Sequence, residues 1–149
     1  MSVEVAVLGK AGKASARRLK AKAARVLKIL RRDEAELSLA LVGNVEIQEL
    51  NRRYRRKNEA TDVLSFPLGD TPAQGPAILG DVIISVEKAR SQARDRGRTL
   101  EEELETLLIH GILHLLGYDH EISPKEARRM QRMEKRVRRS LCRPRVKQV

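Results

Sequence analysis

Residues 107–120, LLIHGILHLLGYDH, leave this chain few choices. Leucine and isoleucine fill the first ten positions apart from His110, Gly111 and His114. A run this apolar has to be buried, so the rest of the chain must fold around it. His110 and His114 stand four residues apart, which puts both imidazoles on one face of a helix. Gly117 follows where such a helix must stop, and glycine accepts the left-handed conformation that ends helices. The chain can then turn back and bring His120 to the same point. These are all the histidines in the sequence.

One histidine on an apolar helix is ordinarily a core residue. Three unpaired imidazoles converging in an apolar segment would be costly to bury without a partner. A metal ion is that partner, with His110, His114 and His120 as ligands. Three neutral nitrogens and an open position describe a catalytic site rather than a closed structural one. Zinc is the default ion, one per chain, although nickel, copper and iron accept the same ligands. The spacing is comparable to the H-E-x-x-H-x-x-G-x-x-H pattern of metalloproteases, but Gly111 stands where their general-base glutamate belongs. A metallopeptidase is therefore a remote alternative. Water activated by a metal needs no such neighbour, and a phosphodiester is the better substrate in a basic chain. Asp119 either orients His120 by accepting its second N–H or holds a turn. Tyr118 reads as a packing residue.

The charge points the same way. Lys+Arg is 31 against 20 for Asp+Glu, a net +11. From Arg128 to Lys147 there are ten basic residues and one acid, Glu134. A second cluster is Arg52, Arg53, Arg55, Arg56 and Lys57. Such clusters fit a polyanion, most simply nucleic acid, through salt-sensitive phosphate contacts. Two tyrosines, one phenylalanine and no tryptophan argue against a base-stacking platform. No apolar run approaches a membrane span, the N-terminus lacks a signal pattern, and Cys142 has no cysteine to pair with. A reducing, cytoplasmic setting is expected.

The chain, 149 residues long, suits one domain: residues 1–141 as the catalytic unit and 142–149 as a flexible basic tail. Alternation predicts strands over 2–8, 35–42, 61–67 and 81–85, with a Gly/Pro-rich loop over 68–80. Periodicity predicts helices over 15–32, 85–96, 100–116 and 124–140, and a short one from an Asn44 cap to about residue 51 or 54. The first helix carries its apolar stripe at Leu19, Ala23, Val26, Leu27 and Leu30. Thr99–Glu102 and Ser123–Glu126 both read as capping boxes. The expected fold is α+β, a mixed four-stranded sheet packed with four to five helices, one of them a zincin-like metal-binding helix.

His110 to His120 also reads as H-G-x-L-H-L-x-G-Y-D-H, and this resembles the signature of the YbeY endoribonuclease family of ribosomal RNA maturation factors. Two more segments look like that family: Leu50-Asn51-x-x-Tyr54-Arg55-x-Lys57 with Thr61-Asp62-Val63-Leu64-Ser65-Phe66-Pro67, and Leu79-Gly80-Asp81-Val82-Ile83-Ile84-Ser85. The resemblance implies one α+β domain, metal ligands at the three histidines, and a functional arginine at Arg55. It implies single-stranded RNA as substrate, including the region near the 3′ end of the small-subunit (16S) ribosomal RNA, and a link to ribosome quality control. Arg52, Arg53, Arg56 and Lys57 read as RNA-tracking charges. The rival of a different class is a ribosome-assembly RNA-binding factor whose metal is structural.

Overall fold

The computed structural model describes residues 2–7, 13–32, 34–55, 61–67 and 78–142. Their elements run β1 (Ser2–Val7), α1 (Lys13–Ile29), β2 (Glu36–Val42), α2 (Asn44–Arg55), β3 (Val63–Pro67), β4 (Ile78–Ser85), α3 (Val86–Arg96), α4 (Leu100–Leu115) and α5 (Pro124–Leu141). The strands form one sheet in the order β1-β2-β4-β3. β1, β2 and β4 are parallel and β3 is antiparallel to β4, so the sheet is mixed as expected.

Helix α4 is the pillar of the core. It buries Leu104, Leu107, Leu108, Ile109, Ile112, Leu113 and Leu115, and each such side chain contributes about 1.5–3 kcal/mol on leaving water. α4 lies against β3 and β4, with α1 on β1 and α4, and α5 closing over α1 and α4. The predicted stripe of α1 holds: Leu19, Ala23, Val26 and Leu27 are buried, and Leu30 packs beside them just past the helix. Met130, Val137 and Leu141 bring α5 down onto the same core. Polar ties fix the helix stack, as where Arg25 donates to the Leu141 carbonyl at 3.0 Å and Lys22 meets Glu105 at 3.4 Å. A smaller apolar cluster, Val42, Ile47 and Leu64 with Leu50 and Phe66 at its margin, seats α2.

The structure corrects several local expectations. Ile78, Leu79 and Gly80 are the start of β4 rather than loop, because they complete the ladder against β2 and β3. The rest of the predicted loop, 68–77, lies outside the described residues, as do 143–149 of the expected tail. Asn44 is already helical, and its side chain accepts from Ser85 Oγ at 2.7 Å instead of capping its own helix. Ser123 accepts from Glu126 N–H at 3.1 Å, but the Glu126 carboxylate turns to Arg129, so only half of that box forms. The Thr99–Glu102 box closes in both directions at 3.0 and 3.1 Å.

That closed box carries a pH signature. The Glu102 carboxylate accepts the Thr99 backbone N–H, which holds its pKa below the ordinary 4.5. A carboxyl group depressed in the folded state stabilises the fold above its unfolded pKa, and that contribution drains away as pH falls through the folded value. Glu102→Gln is expected to lower the melting temperature slightly near neutrality, where the carboxylate's contribution is removed, and to flatten its decline below about pH 4.5, read by thermal melts across the acid range.

Candidate metal centre and its cleft

Each histidine is placed by a separate local device. His110 and His114 share one face of α4 through their four-residue spacing. The helix ends in a Schellman arrangement: Gly117 N–H donates to the His114 carbonyl at 3.0 Å and Tyr118 N–H to the Leu113 carbonyl at 3.1 Å. This closure demands a left-handed residue, and Gly117 sits at φ 98°. Asp119 then accepts the Glu121 N–H at 2.9 Å, closing a turn around His120. Of the two roles expected for Asp119, this bond is the turn role. It serves His120 through the backbone.

The result is a compact triad. Ring centroids are 4.9 Å apart for His110–His114, 5.1 Å for His110–His120 and 5.5 Å for His114–His120. One ligand nitrogen from each ring lies within 4.8 Å of the others. Tetrahedral zinc at ~2.1 Å from its nitrogens holds them roughly 3.4 Å apart, so small ring rotations suffice to share one ion. Three imidazoles form a donor set suited to zinc and its neighbours, and the residues fit the group. The His120 side chain is 45% exposed, which leaves the cluster open on one side.

The triad opens into a cleft of about 710 Å³. Thr61, Val63, Ser65 and Pro67 form one wall, and Arg96 and Tyr118 reach its margins. β3 divides its residues by alternation. Val63, Ser65 and Pro67 face the cleft, while Leu64 and Phe66 join the cluster under α2.

Two contributors carried little sequence signal. Glu134, the single acid in the basic stretch, brings Oε1 to 3.6 Å from His110 Nδ1 across the α4–α5 interface. A carboxylate there favours a proton on Nδ1 and leaves Nε2 as the donor atom. Arg96 is aimed from below by Glu103, which is fully buried and pairs with it at 2.7 Å. Arg98 lies 3.7 Å from the other Glu103 oxygen. A buried carboxylate is tolerated only when charges of this kind meet it. Neither contact could be read from spacing, because each depends on how α3 or α5 docks against α4.

The other expected residues are dispersed. Arg52 and Arg53 lie on the exposed face of α2 and both turn to Glu49, at 2.6 and 3.6 Å. The hydrogen bond from Arg52 lowers the Glu49 pKa and raises that of Arg52. Neither arginine lines the cleft. Arg55 is the last residue of α2, and its side chain, like Arg56 and Lys57, lies outside the described residues. The end of α2 is fixed beside β3 by Tyr54, whose ring meets Phe66 edge-on at 5.6 Å.

Gly111 explains the missing glutamate. A Cβ at residue 111 would stand 2.7 Å from Val82 Cγ1 and 3.3 Å from Ser65 Oγ. Ser65 Oγ also donates to the Gly111 carbonyl at 3.1 Å. Helix and sheet meet where a protease would need a side chain, so this scaffold has no room for a peptidase general base.

Comparison with known proteins agrees with this geometry. A family model described as Endoribonuclease YbeY matches residues 7–141. The chain belongs to the YbeY endoribonuclease family. It is 51% identical over 129 residues to an endoribonuclease YbeY of Anaeromyxobacter sp. (strain Fw109-5), covering 87% of this chain and 66% of that one. It is 49% identical over 105 residues to the Aquifex aeolicus member, covering 70% and 69%. A Myxococcus xanthus member is 54% identical over 104 residues, which is 68% of this chain but 35% of that protein. The chain thus spans about two thirds or less of the length of the first of these relatives and of the third. The solution structure of a Thermotoga maritima protein superposes with a TM-score of 0.63 at 33% identity, over 89% of this chain and 85% of that one.

Two measurements test the site. Gly111→Ala is expected to lower stability by about 1–3 kcal/mol through overpacking, read by urea denaturation; an unchanged midpoint would mean the helix is not pinned to the sheet there. Glu134→Gln is expected to weaken zinc binding by about 10–100-fold, read by competition with a chromophoric chelator, with the fold intact by circular dichroism.

Proposed function

We propose that this chain is a metal-dependent, single-strand-specific endoribonuclease that acts in ribosomal RNA maturation, near the 3′ end of the small-subunit RNA, and in ribosome quality control. The observation that carries the proposal is the open histidine triad at the cleft, with no side chain at residue 111 to serve peptide hydrolysis. Family membership supports the reaction class. The net charge of +11 supports an RNA partner. Among the described residues no helix is long and apolar enough to cross a membrane.

In this reading His110, His114 and His120 hold the ion, with zinc as the expected metal. The ion, when bound, supplies Lewis-acid polarisation and the means to activate water. The remaining work belongs to the protein. Glu134 and the Asp119 turn keep His110 and His120 oriented. Arg55, at the end of α2, pairs bidentately with phosphate oxygens and offsets charge as it builds. Arg96, braced by Glu103, places a guanidinium at the edge of the histidine cleft. Arg52, Arg53, Arg56 and Lys57 act as sequence-independent RNA contacts. An assembly factor with a purely structural metal fits less well, because such sites are closed whereas His120 is 45% exposed.

The test is cleavage of a labelled single-stranded RNA by protein stripped with chelator and reconstituted with zinc, beside His114→Ala purified identically. Wild-type protein is expected to cleave and the variant to lose cleavage while keeping salt-sensitive RNA binding. Equal cleavage by both, or none by zinc-loaded wild type, would sink the proposal.

A further inference from the structure

A second cleft, of about 330 Å³, borders the first and shares Tyr118 with it as a wall. Two helix ends and the middle of a third helix build it. Arg31 and Arg32 follow α1, Leu116 and Tyr118 close α4, and α5 contributes Arg129, Met133 and Arg136 from one face. Four arginines line it and, among the described residues, no acid does. Arg129 is the partnered one, bound to Glu126 at 3.1 Å with its guanidinium 4.3 Å over the Tyr118 ring. Arg31, Arg32 and Arg136 form no ion pair among the described residues. The floor is apolar, made by Leu30, Leu116 and Met133.

Arg31 holds a position that normally excludes side chains. It closes α1 in the left-handed conformation at φ 59°, where glycine is the usual resident. Its N–H donates to Lys28 O at 3.0 Å, and the Arg32 N–H to Leu27 O at 2.7 Å. The cations of this rim therefore stand on backbone that is itself hydrogen-bonded. Helix C-termini carry partial negative charge, so an anion here has to be held by the guanidinium groups.

We propose that this cleft is a second RNA site, taking one nucleotide of the strand that emerges from the histidine cleft across Tyr118. The inference rests on the endoribonuclease reading above. Phosphate oxygens pair with Arg31, Arg32 and Arg136, which present guanidinium forks suited to them. The base lies on Leu30, Met133 and the Arg129–Tyr118 stack. Its volume is at the lower end of the ~300–1,000 Å³ range of ligand pockets, which suits a single nucleotide. A bare anion would gain nothing from the apolar side chains, and the shared Tyr118 wall sets the two clefts side by side. With so few aromatics in the chain, a guanidinium resting on a tyrosine is the described surface best suited to receive a base face.

The test compares the full chain with the double variant Arg32→Ala/Arg136→Ala in binding 2′-O-methyl RNA, which resists cleavage. Fluorescence anisotropy is read with strands of about 12 and about 4 nucleotides, long enough for both clefts or for one. The variant is expected to bind the long strand about tenfold more weakly, with a salt slope shallower by about 1.4, or ~0.7 per lost phosphate contact. Its affinity for the short strand and its cleavage of an unmodified short RNA should match wild type. Arg32→Lys/Arg136→Lys should restore most of the slope. Equal weakening for both lengths, or no weakening, overturns the second site. Blockage of the long-strand advantage by stoichiometric uridine monophosphate would instead make it a free-nucleotide site and overturn it too. Wild-type protein that binds neither strand would remove the endoribonuclease reading along with it, which separates the two failures.

Discussion

The close approach of α4 to the sheet at Gly111 governs this molecule. With hydrogen in place of a side chain, the helix settles against Val82, and Ser65 reaches its carbonyl. That contact sets how deep His110 and His114 lie and which face of α4 looks along β3. It also brings the cleft-facing residues of β3 under the triad. A larger residue at 111 would lift the helix, and close-packed interiors transmit such a change rather than absorb it. The residue that rules out a peptidase base is thus also the residue that positions the helical pair of the histidine triad.

Two acids of this basic chain matter because of what they face at the site. Glu103 and Glu134 each sit under a cleft residue, one bracing Arg96 and the other facing His110. Both come from helices that dock on α4 or from α4 itself, so the site draws its orientation from helix packing and not from loops. The surface arginines behave differently. Arg52 and Arg53 spend their charge on Glu49 along α2, and exposed pairs of this kind contribute little to stability. Arg31 and Arg32 after α1 and Arg136 within α5 form no such pair among the described residues, and the difference between the two groups underlies the assignment of a second RNA site.

Much of this was legible beforehand. The apolar period of α1, the alternation of β2, the box at Thr99–Glu102 and the glycine after α4 are local signals, and each is decided by local physics. The histidine cluster was legible for the same reason, since a four-residue helical spacing and a glycine-ended turn are short-range geometry. The Asn44 cap and the second capping box misread because a competing partner lay elsewhere: Ser85 claims the Asn44 side chain, and Arg129 claims Glu126. The start of β4 was hidden by the glycines and prolines around it, although its ladder partners on β2 and β3 were enough to make it a strand.

By itself, then, the sequence determined where α3, α4 and α5 begin, that three imidazoles converge, and that the chain is strongly basic. Those properties depend on residues a few positions apart, or on a sum of charges. Tertiary structure alone decided that Gly111 is a point of contact with Val82, that Glu134 faces His110, and that Arg96 reaches the cleft on a buried carboxylate. It also decided that the ends of α1 and α4 and the middle of α5 enclose a basic pocket beyond Tyr118. Each of these joins residues distant in the chain, and their distance is set by how the apolar faces of α1, α4 and α5 pack, which no local pattern encodes.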